Sequence, residues 1–150
     1  MKKLIATFLL VMPLCVFADD IDDVMDVIEA YGELESDLAA QADLMHPDRV
    51  YITGGMRQTD EAKNMLNQIA TREAQEALNG GKTEFITTIE GVDISIHGDV
   101  AIASFVRWWN VYPANQAPVL GAPVWVSLVL IKEGQTWLIK HTHQSPVRGG

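Results

Sequence analysis

Apolar residues recur over positions 21–45 at three- and four-residue intervals, at Ile21, Val24, Ile28, Tyr31, Leu34, Leu38, Ala42 and Met45, the spacing that lines one face of a helix. Asp19, Asp20, Asp22 and Asp23 crowd its start, where carboxylates favour the positive end of the helix dipole. His46-Pro47 predicts its end, because the residue before a proline is pushed out of the helical region. A short strand follows, Arg49-Val50-Tyr51-Ile52-Thr53, running into Gly54-Gly55. A second helix is predicted from Thr59 or Asp60 as cap, with Ala62, Met65, Leu66, Ile69, Ala70, Ala74, Ala77 and Leu78 for its buried side. Asn79-Gly80-Gly81 closes it, since glycine accepts the left-handed conformation that ends a helix.

From Lys82 onward the period changes to two, predicting strands over 83–90, 92–97, 100–111, 124–131 and 137–143. Gly91 marks a bulge or bend between the first two, and His97-Gly98-Asp99 a tight turn between the second and third. Residues 112–123, with three prolines, form the loop between the two longest strands. Helices first and strands afterwards give an α+β fold with a mostly antiparallel sheet. Both faces of 124–131 are apolar: Val124, Val126, Leu128 and Leu130 on one, Trp125, Val129 and Ile131 with Ser127 on the other. A strand covered on one side only should alternate, so a second cover is predicted on the outer sheet face, a homodimer partner.

The break Lys132-Glu133-Gly134-Gln135 is a hairpin signal. With Glu133-Gly134 at the tip, Leu130 pairs with Trp137, Leu128 with Ile139, Val126 with His141 and Val124 with His143. Both histidines then stand beneath the helices, since cross-strand partners share a face. A tip one residue longer places Trp125 opposite His143 instead.

The amino terminus changes the picture of where this domain works. Lys2 and Lys3 precede an apolar stretch from Leu4 to Val16, and Val16-Phe17-Ala18 precedes Asp19-Asp20, the form of a cleaved secretory signal. A membrane anchor is the competing reading, but the stretch falls short of the roughly 20 residues a bilayer core needs, and Pro13 interrupts it. A lipid anchor on Cys15 is disfavoured by Met12-Pro13-Leu14, which lacks the small residue such processing wants. The expected organisation is a leader over 1–18 and one domain over 19–150, periplasmic or secreted. Cys15 is the only cysteine, so the mature domain has no disulfide, thiol nucleophile or thiolate ligand. Processing removes two lysines and no carboxylate, moving the formal charge from −9 to −11. Such a surface repels phosphate backbones and anionic headgroups, so neither nucleic acid nor, after cleavage, membrane is expected as a partner.

Histidine titrates nearest neutrality, so a cavity histidine can serve as general acid or base. His143, steered by His141 or Asp48, is the candidate for a proton relay on a small carbonyl or enol substrate; hydrogen bonding within the sheet end is the structural alternative. His-x-His on one strand can also grip zinc, but His46, His97 and Asp48 have no spacing that supplies the further ligands, and neither metal nor cofactor is assigned. Tyr31 is a candidate pocket donor, or a core tyrosine with its hydroxyl satisfied. Arg57 can anchor a carboxylate or pair with Asp60 or Glu61. Trp108 and Trp109 are adjacent and so face opposite sides. Trp108, Trp137 and Val126 complete the candidate lining for a small apolar organic molecule.

Helix, short strand, helix and a long sheet ending in Trp137-x-Ile139-x-His141-x-His143-x-Ser145 resemble the SnoaL-like branch of the nuclear-transport-factor-2-like superfamily. Ala30-Tyr31, His46-Pro47-Asp48 and Gly98-Asp99-Val100-Ala101 fall in the matching order. The resemblance implies a cone: a curled, mostly antiparallel sheet covered by amphipathic helices, with a pocket at the open end. It implies isomerases, dehydratases, cyclases and hydrolases as well as domains that only bind or dimerise, so fold does not settle function. In the ketosteroid isomerase branch a first-helix tyrosine works with two strand aspartates. Tyr31 matches the first, but Thr53 and the stretch around Ser127 and Leu128 stand where the aspartates belong, against steroid-type isomerisation. A binding protein without assigned turnover is the leading expectation, followed by a cofactor-independent lyase or isomerase using the histidines, and by a dimeric assembly module.

Overall fold

The computed structural model describes residues 16–147, so most of the expected leader, residues 1–15, lies outside the described part. Helix α1 (Val16–Glu33) buries Val24, Ile28 and Tyr31, three positions of the predicted stripe. The stripe does not continue as one helix to Met45. A 3₁₀ turn, Leu34–Ser36, and a short helix α2, Leu38–Ala42, replace its second half. The break has one local and one distant cause: Asp37 caps α2 by accepting from the Ala40 N–H at 3.1 Å, and Glu35 turns inward to meet Arg72 and Arg107, far along the chain. A helix start and an inward carboxylate here outweigh continuation of the ladder.

Strands β1 (Met45–Thr53) and β2 (Met56–Gln58) form a hairpin, and helix α3 (Glu61–Asn79) follows. Asp60 caps α3 by accepting from the Lys63 N–H at 3.0 Å. Gly80 ends it at φ 75°, a left-handed geometry that costs glycine nothing. The rest is β3 (Glu84–His97), β4 (Val100–Tyr112), β5 (Val124–Glu133) and β6 (Thr136–Pro146). The two strands predicted over 83–97 are one, with a register shift between Glu90 and Asp93 at the Gly91 bulge. β1 is longer than predicted, because its start pairs with Ile139 of β6 through Met45.

The six strands form one sheet in the order β2-β1-β6-β5-β4-β3, antiparallel except where β1 lies parallel to β6. The sheet curls without closing, and the helices cover its inner face, an α+β cone as the sequence implies. Phe105, Val126, Leu128, Leu130 and Ile139 are fully buried there against Val24 and Ile28 of α1.

The turn of the last hairpin is Gly134-Gln135, with Glu133 opposite Thr136 and Leu130 opposite Ile139. That register alone would set Leu128 against His141 and send both histidines inward. A bulge between Ile139 and His141 adds one residue to β6, so that Leu128 meets Thr142, Val126 meets Gln144 and Ser127 meets His143. One extra residue exchanges the two faces of everything beyond it. Thr142 is fully buried, whereas His143 is exposed and His141 half-buried on the outer face. The expected placement of the histidines beneath the helices is therefore corrected.

Candidate functional site

α3 presents to the sheet the face that the apolar pattern assigned to solvent. Asn64 is buried and Gln68 half-buried, while Leu66 is 67% and Leu78 87% exposed. Ala62, Ala70, Ala74 and Ala77 of the predicted buried stripe are exposed too, and only Met65 of that set is buried. The side that lines the space beneath is a ladder of Asn64, Asn67, Gln68, Thr71, Gln75 and Asn79 at helical spacing, of which Asn67, Thr71 and Gln75 keep contact with solvent.

Between this ladder and the ends of β3 and β4 lies a cavity of about 630 Å³, well inside the range of small-ligand pockets. Its far wall is apolar, made by Phe85, Trp109, Val111, Pro113 and Leu38. Phe85 and Trp109 stack, 13° from parallel with ring centres at 5.7 Å, and Trp109 stays 39% exposed. The Arg72 guanidinium sits 3.9 Å from the Phe85 ring centre. Gln58, Thr59 and Asp60 at the start of α3, with Thr83, complete the polar rim.

Arg72 also closes the inner end through Glu35. Its Nη2 donates to Glu35 Oε1 at 3.0 Å, and Arg107 Nη2 donates to Glu35 Oε2 at 3.0 Å from β4. Gln41 Nε2 adds a donor to Oε2 at 3.3 Å. One carboxylate thus ties the α1–α2 elbow to α3 and to the sheet. Deeper in the cone, Arg49 Nε donates to Glu61 Oε2 at 2.9 Å, both side chains being buried. Gln144 Nε2 donates to the Tyr31 hydroxyl at 3.1 Å, and the Tyr51 hydroxyl donates to Gln144 Oε1 at 3.5 Å. Burial, with the Tyr31 phenol as a second cause, pushes the Tyr51 hydroxyl up to about 12, so it stays protonated through neutrality. At the far end of α3, the Lys82 ammonium and then the Thr83 N–H hold the Glu76 carboxyl below the usual carboxylate range.

The residues singled out from the sequence do not assemble here. Asp48 is exposed and pairs with Lys140 at 3.3 Å near the turn of the β5–β6 hairpin, apart from His143, which pairs with Ser127 and Ile52. Tyr31 faces inward, buried in the core, and its hydroxyl is engaged by Gln144. Arg57 is exposed on the edge strand β2; Glu61 pairs with Arg49 and Asp60 caps α3, in place of the expected ion pair to Arg57. Val126 and Trp137 are core residues. Trp108 lies on the outer face, where its indole N–H donates to Glu90 at 3.3 Å, and its neighbour Trp109 takes the pocket side. The amide ladder was the missed feature. Its spacing is visible in the sequence, but the rule that buries the apolar face of a helix selected the opposite side.

Among the described residues no group of three or more His, Asp, Glu or Cys side chains is placed to hold a metal ion, and no helix is long and apolar enough to cross a membrane. The carboxylates and guanidiniums around the cavity's inner end are committed to each other. The arrangement offers a shaped, mixed-polarity container, with neutral hydrogen-bonding groups as its free polar capacity.

The description of a SnoaL-like domain matches residues 24–149. Solved structures share the architecture at low identity. An NTF2-like protein with a cystatin-like fold from Novosphingobium aromaticivorans aligns with a TM-score of 0.69 at 13% identity, over 89% of this chain and 86% of its own. A candidate dehydratase of the NTF2-like family from Streptomyces avermitilis gives 0.71 at 16%, over 89% and 100%. ActVI-ORFA from Streptomyces coelicolor gives 0.70 at 14%, over 89% and 98%. These likenesses establish the fold. No curated protein sequence matches the chain.

Proposed function

Since the chain belongs to the SnoaL-like family, we propose that it is a periplasmic or secreted binding protein that holds a small organic molecule in the cavity between α3 and the sheet, without turnover. The observation that carries this reading is the cavity itself, an apolar, aromatic wall facing a ladder of uncharged polar side chains. The ligand expected from the sequence was apolar; the lining favours one with an apolar face and a polar one. Binding without chemistry is favoured because the two imidazoles lie on the outer face, away from this space. The basic, apolar and then acidic sequence of the amino terminus supports export.

Replacing Thr71, an exposed helix position that lines the cavity, by tryptophan fills the space with little cost to the fold. In ligand-observed NMR with a chemically diverse fragment set, the parent protein should retain hits that Thr71→Trp loses. Hits unchanged in the variant would move binding elsewhere, and a parent protein that retains none would end the proposal.

A second copy of the chain on the outer sheet face is part of the same reading. Ile86, Ile102, Trp108 and Trp125 are between 37% and 49% exposed there, across three neighbouring strands, a run of apolar surface that monomers seldom leave in water. Light scattering at micromolar concentration should give the mass of two copies, falling to one in Ile102→Glu/Trp125→Glu. A monomeric parent protein would remove the dimer.

A further inference from the structure

Resting on the cavity being a binding site, we propose that its occupant is a neutral sugar in pyranose form, seated with its C–H face on Trp109 and its hydroxyls against α3. The complementarity is chemical. A carboxamide carries donors and acceptors side by side, and a hydroxyl is both donor and acceptor. A wall of amides and hydroxyls therefore matches a ring of neighbouring hydroxyls, whereas an acid would call for donors alone. Charge points the same way. Arg72 is spent on Glu35 and on the Phe85 face, and the remaining charged lining residues, Lys63 and Asp60, are of opposite sign, leaving the lining close to neutral.

The two walls differ, and a ligand must differ in the same sense. Phe85 is covered by Arg72 and stacked on Trp109, so the apolar surface left for a ligand is the exposed part of the Trp109 indole with Val111 and Pro113. The amide ladder opposite offers only polar contacts. A pyranose with an axial hydroxyl has one face of C–H groups and one carrying oxygen, so each wall meets its complement. A flat aromatic ligand is apolar on both faces. Laid on Trp109, it would press its second face against Asn67 and Gln75 and strip them of water without returning hydrogen bonds, at about 1–3 kcal/mol for each group left unpaired. The inverted amphipathicity of α3 is what such a ligand requires: the helix keeps its leucines outward and gives its best polar face to the cavity.

The test uses the methyl pyranosides of galactose, mannose and glucose beside 2-naphthol, a flat aromatic probe, on the intact protein by calorimetry and ligand-observed NMR. At least one pyranoside should bind at millimolar affinity or better, and removal of one ring hydroxyl should weaken it sharply, because a site built for hydroxyls rejects the analogue that lacks one. Asn67→Ala/Gln75→Ala, at exposed helix positions, should weaken the pyranoside by about tenfold or more and bind 2-naphthol no more weakly than the parent protein does. Binding of 2-naphthol that Thr71→Trp abolishes, with no pyranoside bound at tens of millimolar, would overturn the sugar and leave the binding site standing. Pyranoside binding indifferent to both α3 variants would also overturn it. If neither probe binds, the sugar is overturned, and the binding function then stands or falls by the fragment screen alone.

Discussion

Glu35→Ala should destabilise the protein by about 3–5 kcal/mol, the usual cost of leaving one partner of a buried ion pair without its counterion. The loss is set by Arg107, only 5% exposed and already without a partner for its Nε. Arg72 retains more contact with solvent and can turn outward. Equilibrium urea unfolding measures the effect. The double variant Glu35→Ala/Arg107→Met should recover part of it, since a hydrophobic side chain of similar length carries no desolvation cost, and the four-variant cycle isolates the coupling. A loss under about 1 kcal/mol would mean that the pair behaves like a solvated surface contact. Because Glu35 joins the α1–α2 elbow to α3 through Arg72 and to β4 through Arg107, the same variant should also loosen the cavity, and weaker retention of a cavity ligand would accompany the fall in stability.

Phe105→Ala should cost about 3–5 kcal/mol, the range for removing a fully enclosed aromatic ring. Phe105 sits on the inner face of the sheet opposite Val126, with Ala101 and Ala103 before it and Arg107 after it along the inward side of β4. The small alanines make room for the helices above and cannot move to refill the void. The denaturation midpoint should fall while its slope stays constant, as for a change in stability without a change in exposed area. A loss below about 1.5 kcal/mol would show that the helices collapse onto the gap, contrary to the close packing of Val24 and Ile28 on the inner face.

The buried half of the molecule was largely legible in the amino-acid sequence. Val24, Ile28 and Tyr31 follow the helical period, and Val126, Leu128 and Leu130 the strand period, because a side chain that must leave water does so from every turn or every second residue. The doubly apolar character of β5 reads the same way: Trp125 is half exposed on a face whose other side is core. What period alone does not carry is the single residue that breaks it. At Lys140 the bulge in β6 turns Thr142 and Gln144 inward and both histidines outward, so the His-x-His motif lies outside the interior. At Glu35 the break between α1 and α2 arises from partners on β4 and α3 that are 72 and 37 residues away.

α3 separates the two kinds of information most clearly. Its boundaries were set locally, by an aspartate that caps its first turn and a glycine that accepts the left-handed geometry of its last, so neighbouring residues were enough to place them. Its orientation was not local. The helix has two usable faces, and which one turns to the sheet depends on whether the space beneath is filled by side chains or kept open. Apolar side chains win where they pack against others, but over a cavity the polar face is the one that water or a ligand can satisfy. Residue order determined the elements, the core and the α+β class; the three-dimensional arrangement decided which side chains share the hollow, because a bulge of one residue and a helix turned about its axis change no local preference.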